Sequence, residues 1–370
     1  VSLGFSRFAY ALLLPPMRAS LHWSYAQAGG MNTANAVGYV LGSAGSAWLS
    51  ERLGIKAAFL ATLAISAFVL LLTGLTADYP LLMALRLAGG VATAVTFVTG
   101  ASLAAGVNAA AAPQRAAIPL AIYITGVGSG VALSGLVVPP LLAHLGPAGW
   151  PAGWTWLGAL SVAALAPAGA AARGVPAQAR RDERVLPWAD FVFLWPTFAN
   201  YLLFAAGYVS YMTFIIVLIR NSGGGPAYVA AFWVVLGLSS VIGTLLWGRV
   251  LPKLGLVRSS PVVALVVLAG TLPVLLSPSV TAAFASAIVF GASFMAGPTA
   301  VTVIVRKLLR QAAWTAALAA LTVAFAIGQA IGPLASGMVS DATGSVGAGL
   351  WLSPGLLVAA AVFALFQRTR

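Results

Sequence analysis

The sequence contains no cysteine, only two histidines and only six acidic residues among its 370 positions. The absence of cysteine excludes disulfides, thiolate metal sites and cysteine nucleophiles. His22 and His144 are too few for a histidine metal cluster or a buried proton relay. No Ser-His-Asp set, glycine-rich phosphate loop or metal-ligand cluster is present, and the loops are too short for a catalytic domain. We therefore expect no enzyme, no metal and no cofactor.

Charge is also scarce. Asp, Glu, Lys and Arg make up 7% of the chain and hydrophobic residues 61%, against about 25% and 45–50% in a soluble domain. Apolar runs of 20 or more residues recur between short polar breaks, as expected of membrane spans. They predict twelve spans, at residues 1–18, 25–49, 56–77, 79–107, 116–143, 150–172, 189–219, 226–251, 258–277, 279–305, 312–340 and 346–367.

The first span begins without a methionine or a basic flank, which predicts that the native chain carries further residues before it. We predict no signal peptide, because no small-residue cleavage site follows the span. Pro15 and Pro16 are expected to break the first helix. The run Ser-Tyr-Ala-Gln at 24–27 predicts a capping box that opens the second helix.

The positive charges are distributed unevenly. Loops after even-numbered spans and the C-terminal segment hold fifteen Lys and Arg residues, whereas the opposite loops hold only Arg18 and Arg220. This asymmetry predicts that both termini are cytoplasmic in a bacterial-type inner membrane. The net charge of +13 is then explained by topology and by attraction to the lipid bilayer, and we expect no nucleic-acid partner.

The longest polar stretch, residues 174–187, lies at the midpoint with six spans on each side. It predicts an N-terminal six-helix bundle at 1–173, a cytoplasmic linker at 174–187 and a C-terminal bundle at 188–370. A shift of 202 residues pairs small residues of corresponding spans, which indicates a parallel duplication. The pairs are Gly89 with Gly291, Gly126 with Gly328, Gly130 with Gly332, Ser134 with Ser336, and Gly135 with Gly337.

Two short motifs resemble the major facilitator superfamily. The loop 49–56, Leu-Ser-Glu-Arg-Leu-Gly-Ile-Lys, resembles its acidic-basic-x-Gly loop with Glu51 in place of Asp. The equivalent loop 248–255 keeps Gly248, Lys253 and Gly255 of the motif but has Pro252 at the acidic position. The run 86–90, Arg-Leu-Ala-Gly-Gly, resembles the fourth-span Arg-x-x-x-Gly motif. The runs 4–10 and 24–29 are similar to the YbfB-like branch.

The resemblance implies an all-α integral membrane protein with twelve transmembrane helices. In that superfamily, two six-helix bundles surround a central cavity and alternate between inward-open and outward-open states. It also implies a cytoplasmic latch, for which the alternative is an ordinary solvated loop pair. The latch residues would be Glu51, Arg52, Gly54, Lys253 and Gly255. We expect the protein to be a monomer.

Two arginines fall inside predicted spans. Arg7 lies eleven residues before Arg18, about 16 Å along a helix, and therefore near mid-membrane. Arg86 lies eight residues inside the fourth span. No acidic residue falls at mid-membrane, so the sequence offers neither arginine a buried carboxylate. We therefore infer a small, carboxylate-like organic anion as substrate. The alternative for both arginines is hydrogen bonding to carbonyls or amides, and for Arg86 also snorkelling.

Polar and aromatic stripes at helical spacing predict the wall of a cavity. Asn32, Asn35 and Tyr39 share one face of the second span, and a tyrosine-rich stripe runs along the seventh span. Packing between helices is the alternative for this stripe. The predicted substrate-binding residues are Arg7, Tyr10, Asn32, Asn35, Tyr39, Arg86, Tyr123, Tyr201, Phe204, Tyr208, Tyr211, Trp233 and Gln329, and Phe294 is a further candidate.

We therefore predict a secondary active or facilitative transporter of a small organic anion, working by alternating access. With no acidic or histidine side chain at mid-membrane, anion exchange, uniport and symport of a proton with the substrate all remain open. The direction of transport and the solute are also open. The alternatives are an exporter of amphipathic drugs and a membrane sensor that transports nothing.

Overall fold

The computed structural model describes residues 1–107, 117–175, 186–310 and 313–368, and these ranges are helical with no β-strand. The linker prediction falls largely on residues 176–185, which lie outside the described residues. The main helices are α1 (Gly4–Phe8 and Tyr10–Leu21), α2 (Tyr25–Leu53), α3 (Ile55–Thr73), α4 (Tyr79–Gly106), α5 (Ala117–Leu145), α6 (Trp150–Ala163 and Leu165–Arg173), α7 (Trp195–Asn221), α8 (Pro226–Leu254), α9 (Leu256–Leu276), α10 (Val280–Ser293 and Ala296–Leu308), α11 (Trp314–Thr343) and α12 (Val346–Leu350 and Leu352–Leu365).

Each predicted span corresponds to one of these helices. Within the described residues, ten of them are long and apolar enough to cross a membrane. Helices α1 and α2 are outside that set. The regular part of α1 has only 12 residues, and α2 contains many glycine, asparagine and serine residues. Both are the helices to which the sequence assigns polar, cavity-facing side chains.

The start of the chain differs from its prediction. Pro15 and Pro16 do not break the first helix, because Tyr10–Leu21 continues through both and ends at His22, whose φ is 54°. The irregularity is instead a π-helical turn at Gly4–Phe8. The capping box is confirmed: the Gln27 amide donates to Ser24 Oγ at 3.1 Å, and the Ser24 amide donates to Gln27 Oε1 at 2.9 Å.

Short loops make consecutive helices antiparallel, which gives the molecule two ends. We call the end with the α2–α3 loop the Glu51 end and the end with the last turn of α11 the Asp341 end. The seventh span begins at the Glu51 end with a short helix, Trp188–Phe193, and α7 proper starts at Trp195.

The glycine pairs that indicated duplication lie at equivalent helix contacts. A Cβ built on Gly130 of α5 would lie 2.4 Å from the Val1 carbonyl oxygen, at the start of the first span. A Cβ on Gly332 of α11 would lie 2.3 Å from the Ala206 carbonyl oxygen, on α7. These distances are too short for any side chain, so glycine allows the fifth span to approach the first and the eleventh to approach the seventh.

The two halves of the described chain, 1–175 and 186–368, meet along α2 with α11 and along α5 with α8. At the Asp341 end, the two oxygens of Asp341 accept hydrogen bonds from the amides of Tyr25 and Ala26, each at 2.8 Å. Thr33 donates to the Ala330 carbonyl at 2.6 Å, closer to the middle. The halves are therefore joined from mid-helix to the Asp341 end.

Candidate functional site

The π-helical turn at the start of α1 presents Arg7. Its characteristic hydrogen bond runs from the Ala9 amide to the Gly4 carbonyl at 2.9 Å. Such turns occur preferentially at functional positions, because they displace part of the backbone from the regular ladder. Here the Ser6 carbonyl accepts a hydrogen bond from the Arg86 side chain. The turn is thus fixed by a side chain of α4.

Arg7 is buried, with 7% of its surface exposed. Its guanidinium lies 5.2 Å from the centre of the Tyr39 ring. Among the described residues it makes no hydrogen bond to a protein group and meets no carboxylate. It borders a narrow cavity between the halves, together with Phe8, Ala11, Asn32, Val209, Met212 and Thr213. A charge in such a place is costly unless something neutralises it.

Arg86 has a different environment, although it is just as buried at 3% exposure. All three guanidine nitrogens donate to protein oxygens: Nε to Met31 O at 3.4 Å, Nη1 to Ser6 O and Nη2 to Asn32 Oδ1 at 3.1 Å. The geometry matches the alternative stated for Arg86, hydrogen bonding to carbonyls and an amide that ties α4 to α1 and α2.

Tyr10 and Asn35 belong to the surroundings of Arg86 rather than to the cavity beside Arg7. The Tyr10 hydroxyl donates to the Ala28 carbonyl at 2.8 Å, and its ring lies 4.9 Å from the Arg86 guanidinium. Asn35 Nδ2 donates to the Arg86 carbonyl at 3.1 Å. Both side chains therefore pack inside the N-terminal half.

Asn32 connects the two arginine environments to the other half. Its Oδ1 accepts from Arg86, and its Nδ2 donates to Thr213 Oγ1 of α7 at 2.6 Å. Thr213 was not predicted, and no sequence signal marks it, because single threonines are common in membrane helices. The chain of contacts from Arg86 through Asn32 to Thr213 crosses the interface next to Arg7.

The C-terminal half contributes an aromatic cluster. Tyr208 stacks with Phe294 and with Phe325, each at 5.8 Å between ring centres. Tyr201 stacks on Phe325 at 4.3 Å, and Phe204 lies 5.6 Å from Tyr208. We use the name aromatic cluster for these five residues. Phe325 was not among the predicted residues, although it lies one helical turn before the predicted Gln329 and so shares its face.

The aromatic cluster lies close to Arg7. Phe8, the next residue along the chain, meets Phe294 edge-on at 5.6 Å. The Tyr208 hydroxyl lies within electrostatic range of the Arg7 guanidinium. That hydroxyl accepts a hydrogen bond from Gln329 Nε2, while Gln329 Oε1 is buried with no hydrogen-bond partner in the described part of the chain. The two halves thus face each other with a cation on one side and stacked rings on the other.

Three predicted residues lie elsewhere. The Tyr123 hydroxyl donates to the Thr96 carbonyl at 3.0 Å and borders a separate cavity inside the N-terminal half. Trp233 donates to Ser134 Oγ at 3.1 Å where α5 meets α8. The Tyr211 hydroxyl pairs with a serine inside the C-terminal half.

The structure therefore divides the predicted site residues into two sets. The first set lies beside Arg7 or in the aromatic cluster that faces it, and consists of Arg7, Asn32, Tyr39, Tyr201, Phe204, Tyr208, Phe294 and Gln329. The second set lies away from Arg7 or is bonded to other protein groups in the packing between helices, and consists of Tyr10, Asn35, Arg86, Tyr123, Tyr211 and Trp233.

The predicted latch residues lie in two equivalent turns at the Glu51 end. Gly54 and Gly255 have φ values of 81° and 79°, a conformation that favours glycine. The Arg52 guanidinium lies 4.9 Å from the Trp48 ring, and Glu51 and Lys253 are exposed. In the described part of the chain, no hydrogen bond or ion pair joins Glu51 or Arg52 to the other half.

Known structures share this architecture. A bacterial homologue of the human lysosomal transporter Spinster, in an inward-facing and occupied conformation, is 17% identical with a TM-score of 0.74 over 99% of this chain and 94% of that one. The nucleoside transporter NupG is 16% identical with a TM-score of 0.72 over 100% of this chain and 99% of that one. At such identities the likeness shows the fold alone.

No curated protein matches the sequence. The profile of one protein family, described as "Uncharacterised MFS-type transporter YbfB", matches residues 1–365. The match covers nearly the whole chain and agrees with the helical architecture and with the motifs at 49–56 and 86–90. The chain belongs to this YbfB family of multi-pass membrane transporters of the major facilitator superfamily.

Proposed function

We propose that the protein is a secondary active or facilitative transporter of a small organic anion, which binds between the halves with its charged group at Arg7. One observation carries the proposal: Arg7 is buried, borders the cavity between the halves and has no hydrogen-bonding partner among the described residues. A carboxylate matches the planar guanidinium through two parallel hydrogen bonds, and arginine cannot lose its proton to avoid the cost of burial.

Arg86 acts at this site by position rather than by contact with the anion. Its nitrogens already donate to Ser6, Met31 and Asn32, and one of these residues directly precedes Arg7. Two positive charges in one region also raise the affinity for an anion, because neither guanidinium meets a carboxylate of the described residues. Arg7 therefore binds the substrate directly, and the charges of both Arg7 and Arg86 attract it.

Transport follows from alternating access between the bundles 1–173 and 188–370, with 174–187 as the linker. The hydrogen bonds between the halves near Asp341 close that end, and the unengaged turns at 51–54 and 253–255 act as the latch when the other end closes. The Glu51 end and both termini lie in the cytoplasm of a bacterial-type cell in this proposal, which the excess of positive charge in the loops at that end supports. We propose that the monomer is the working unit in the inner membrane.

The coupling mechanism is limited by the same shortage of acidic residues. Among the described residues, the carboxylates of Glu51, Asp78, Asp190 and Asp341 lie at or near helix ends. Anion exchange, uniport, and symport in which the proton travels on the substrate are the mechanisms compatible with this placement.

Proteoliposome transport tests the proposal. Wild-type protein should take up or exchange labelled small carboxylates across the membrane, and Arg7→Ala should insert and fold yet lose this transport. Arg258→Ala is the matched control, because Arg258 is exposed at the start of α9 and should retain full activity. Anion exchange that survives in Arg7→Ala would contradict the proposal.

Export of amphipathic drugs is the second candidate, and the aromatic cluster is the observation that favours it. Efflux of neutral or cationic compounds that persists in Arg7→Ala would support this candidate. Binding of an anion without any flux in proteoliposomes would instead indicate a membrane sensor.

A further inference from the structure

We propose that the substrate is a monoanion with a planar aromatic ring, an aryl carboxylate in chemical class. This inference rests on the proposed function and narrows it. It combines two observations from opposite halves of the molecule: the number of cations that remain unpaired, and the arrangement of the rings that face them.

The first observation limits the charge of the ligand. Of the two buried arginines of the described chain, Arg86 is held by protein oxygens, so that Arg7 is the buried guanidinium that makes no hydrogen bond to a described residue. A second carboxylate on the ligand would be removed from water without a second guanidinium free to donate hydrogen bonds to it, which is strongly unfavourable. The site is therefore built for a single negative charge.

The second observation concerns the shape of the uncharged part of the ligand. Tyr208 lies nearly parallel to Phe294 and Phe325, with interplanar angles of 30° and 24°. Tyr201 and Phe325 make 28° at 4.3 Å. Four of the five rings are buried, and Phe325, which is partly exposed, is the ring onto which a further ring can stack. Ring stacking adds to the effect of burial alone.

One ring of the aromatic cluster, Phe325, remains accessible. Phe325 is partly exposed, yet it lies two residues from both Val323 and Ile327, which are exposed on the opposite, outward face of α11. Its exposed surface therefore faces the interior of the molecule rather than lipid. The ring of an incoming ligand can stack there while its carboxylate approaches Arg7.

The two halves contribute different contacts, which explains why a ligand with both a charge and a ring is favoured. The N-terminal half contributes the charge contact through Arg7, and the C-terminal half contributes the ring contacts through α7, α10 and α11. Only a compound that satisfies both halves stabilises their closure around it. A small inorganic anion would engage only the first half.

Ligand binding to the purified full chain, measured by calorimetry and by thermal shift, tests the inference. The probes are benzoate, cyclohexanecarboxylate, benzamide, terephthalate, succinate and inorganic phosphate. We expect benzoate to bind most tightly. The saturated ring should bind about threefold to tenfold more weakly, and neutral benzamide and dianionic terephthalate at least tenfold more weakly.

Two variants test whether Phe325 and Arg7 cause the preference for benzoate. Phe325→Leu should keep benzoate binding but lose the preference over cyclohexanecarboxylate, whereas Arg7→Met should abolish binding of both acids. Tighter binding of succinate or phosphate than of benzoate would overturn the aryl monoanion and leave anion transport standing. Binding of benzamide at benzoate's affinity, unchanged in Arg7→Met, would overturn the proposed function as well.

Discussion

Arg86 donates a hydrogen bond to the main-chain carbonyl of Ser6, the residue that directly precedes Arg7. The two buried arginines are thus coupled through one peptide group of the π turn. One is fully engaged with protein oxygens, and the other borders the space between the halves. This difference gives the two residues separable roles.

The first prediction compares Arg86→Met with Arg7→Met. Removing Arg86 leaves the oxygens of Ser6, Met31 and Asn32 without their donor, at a cost of about 1–3 kcal/mol for each buried group left unpaired. Arg86→Met should therefore lower the melting temperature by several degrees in the absence of ligand. Arg7→Met removes an unpartnered charge and should leave the melting temperature unchanged or raise it.

Differential scanning fluorimetry of the two variants in the same detergent measures this contrast. Arg86→Lys is the conservative variant and should recover only part of the stability, because an ammonium group cannot reproduce the planar arrangement of donors. Equal destabilisation by Arg7→Met and Arg86→Met would show that Arg7 also holds the fold together.

The second prediction concerns the tyrosine hydroxyls of α7. Tyr208→Phe removes a hydroxyl that accepts from Gln329 and lies within electrostatic range of Arg7, so the affinity for the anion should fall by about threefold to tenfold. Tyr211→Phe is the matched control, because its hydroxyl is paired inside the C-terminal half and its loss should not change affinity. Titration calorimetry gives both values, and a larger loss in Tyr211→Phe would place the ligand elsewhere.

The third prediction concerns closure at the Asp341 end. Asp341→Asn replaces two charged oxygen acceptors by one neutral acceptor, while the amides of Tyr25 and Ala26 still require partners. The variant should therefore open more often at this end. Because the chain lacks cysteine, Ile216→Cys supplies a single reporter in the cleft between the halves on this side.

Maleimide labelling of Ile216→Cys should proceed severalfold faster in the Asp341→Asn background. Ser161→Cys is the control, since Ser161 is buried inside the N-terminal half and would report local unfolding. If both cysteines accelerate together, the substitution has loosened the fold rather than opened the interface.

The fourth prediction separates glycines within a half from glycines between halves. A Cβ on Gly38 would lie 2.0 Å from the Leu87 carbonyl oxygen of the same half, and one on Gly29 would lie 2.4 Å from the Pro333 carbonyl oxygen of the other half. Gly38→Ala should lower the melting temperature by several degrees, since overpacking costs about 1–3 kcal/mol. Gly29→Ala should mainly accelerate labelling of Ile216→Cys, because the halves can separate without unfolding.

Much of the fold could be predicted from the sequence because lipid allows few alternatives. A backbone without water must satisfy its hydrogen bonds within helices, so apolar runs and positive loops indicate the helices and their order. The capping box at 24–27 is local chemistry and was predicted correctly. The predicted helix break at Pro15 and Pro16 was wrong, because proline is tolerated in a membrane helix whose neighbours satisfy the freed carbonyl groups.

The site was only partly predictable, for a different reason. Helical spacing places Tyr208 and Tyr211 on adjoining positions of one helix, but it does not show which neighbouring helix each side chain meets. Arg7 and Arg86 likewise look equivalent as charges in apolar runs. Their difference arises from tertiary contacts, above all from Asn32 and the carbonyls of Ser6 and Met31.

The amide of Asn32 takes part in both the arginine network and the contact with Thr213. Separation of the halves would break the second contact and release an N–H donor beside the Arg7 guanidinium, while the first contact stays within one half. A bound anion would then find one more N–H donor in the conformation with separated halves. In the other conformation, the same N–H is bonded to Thr213. Unequal affinity on the two sides of the membrane would follow from a single side chain.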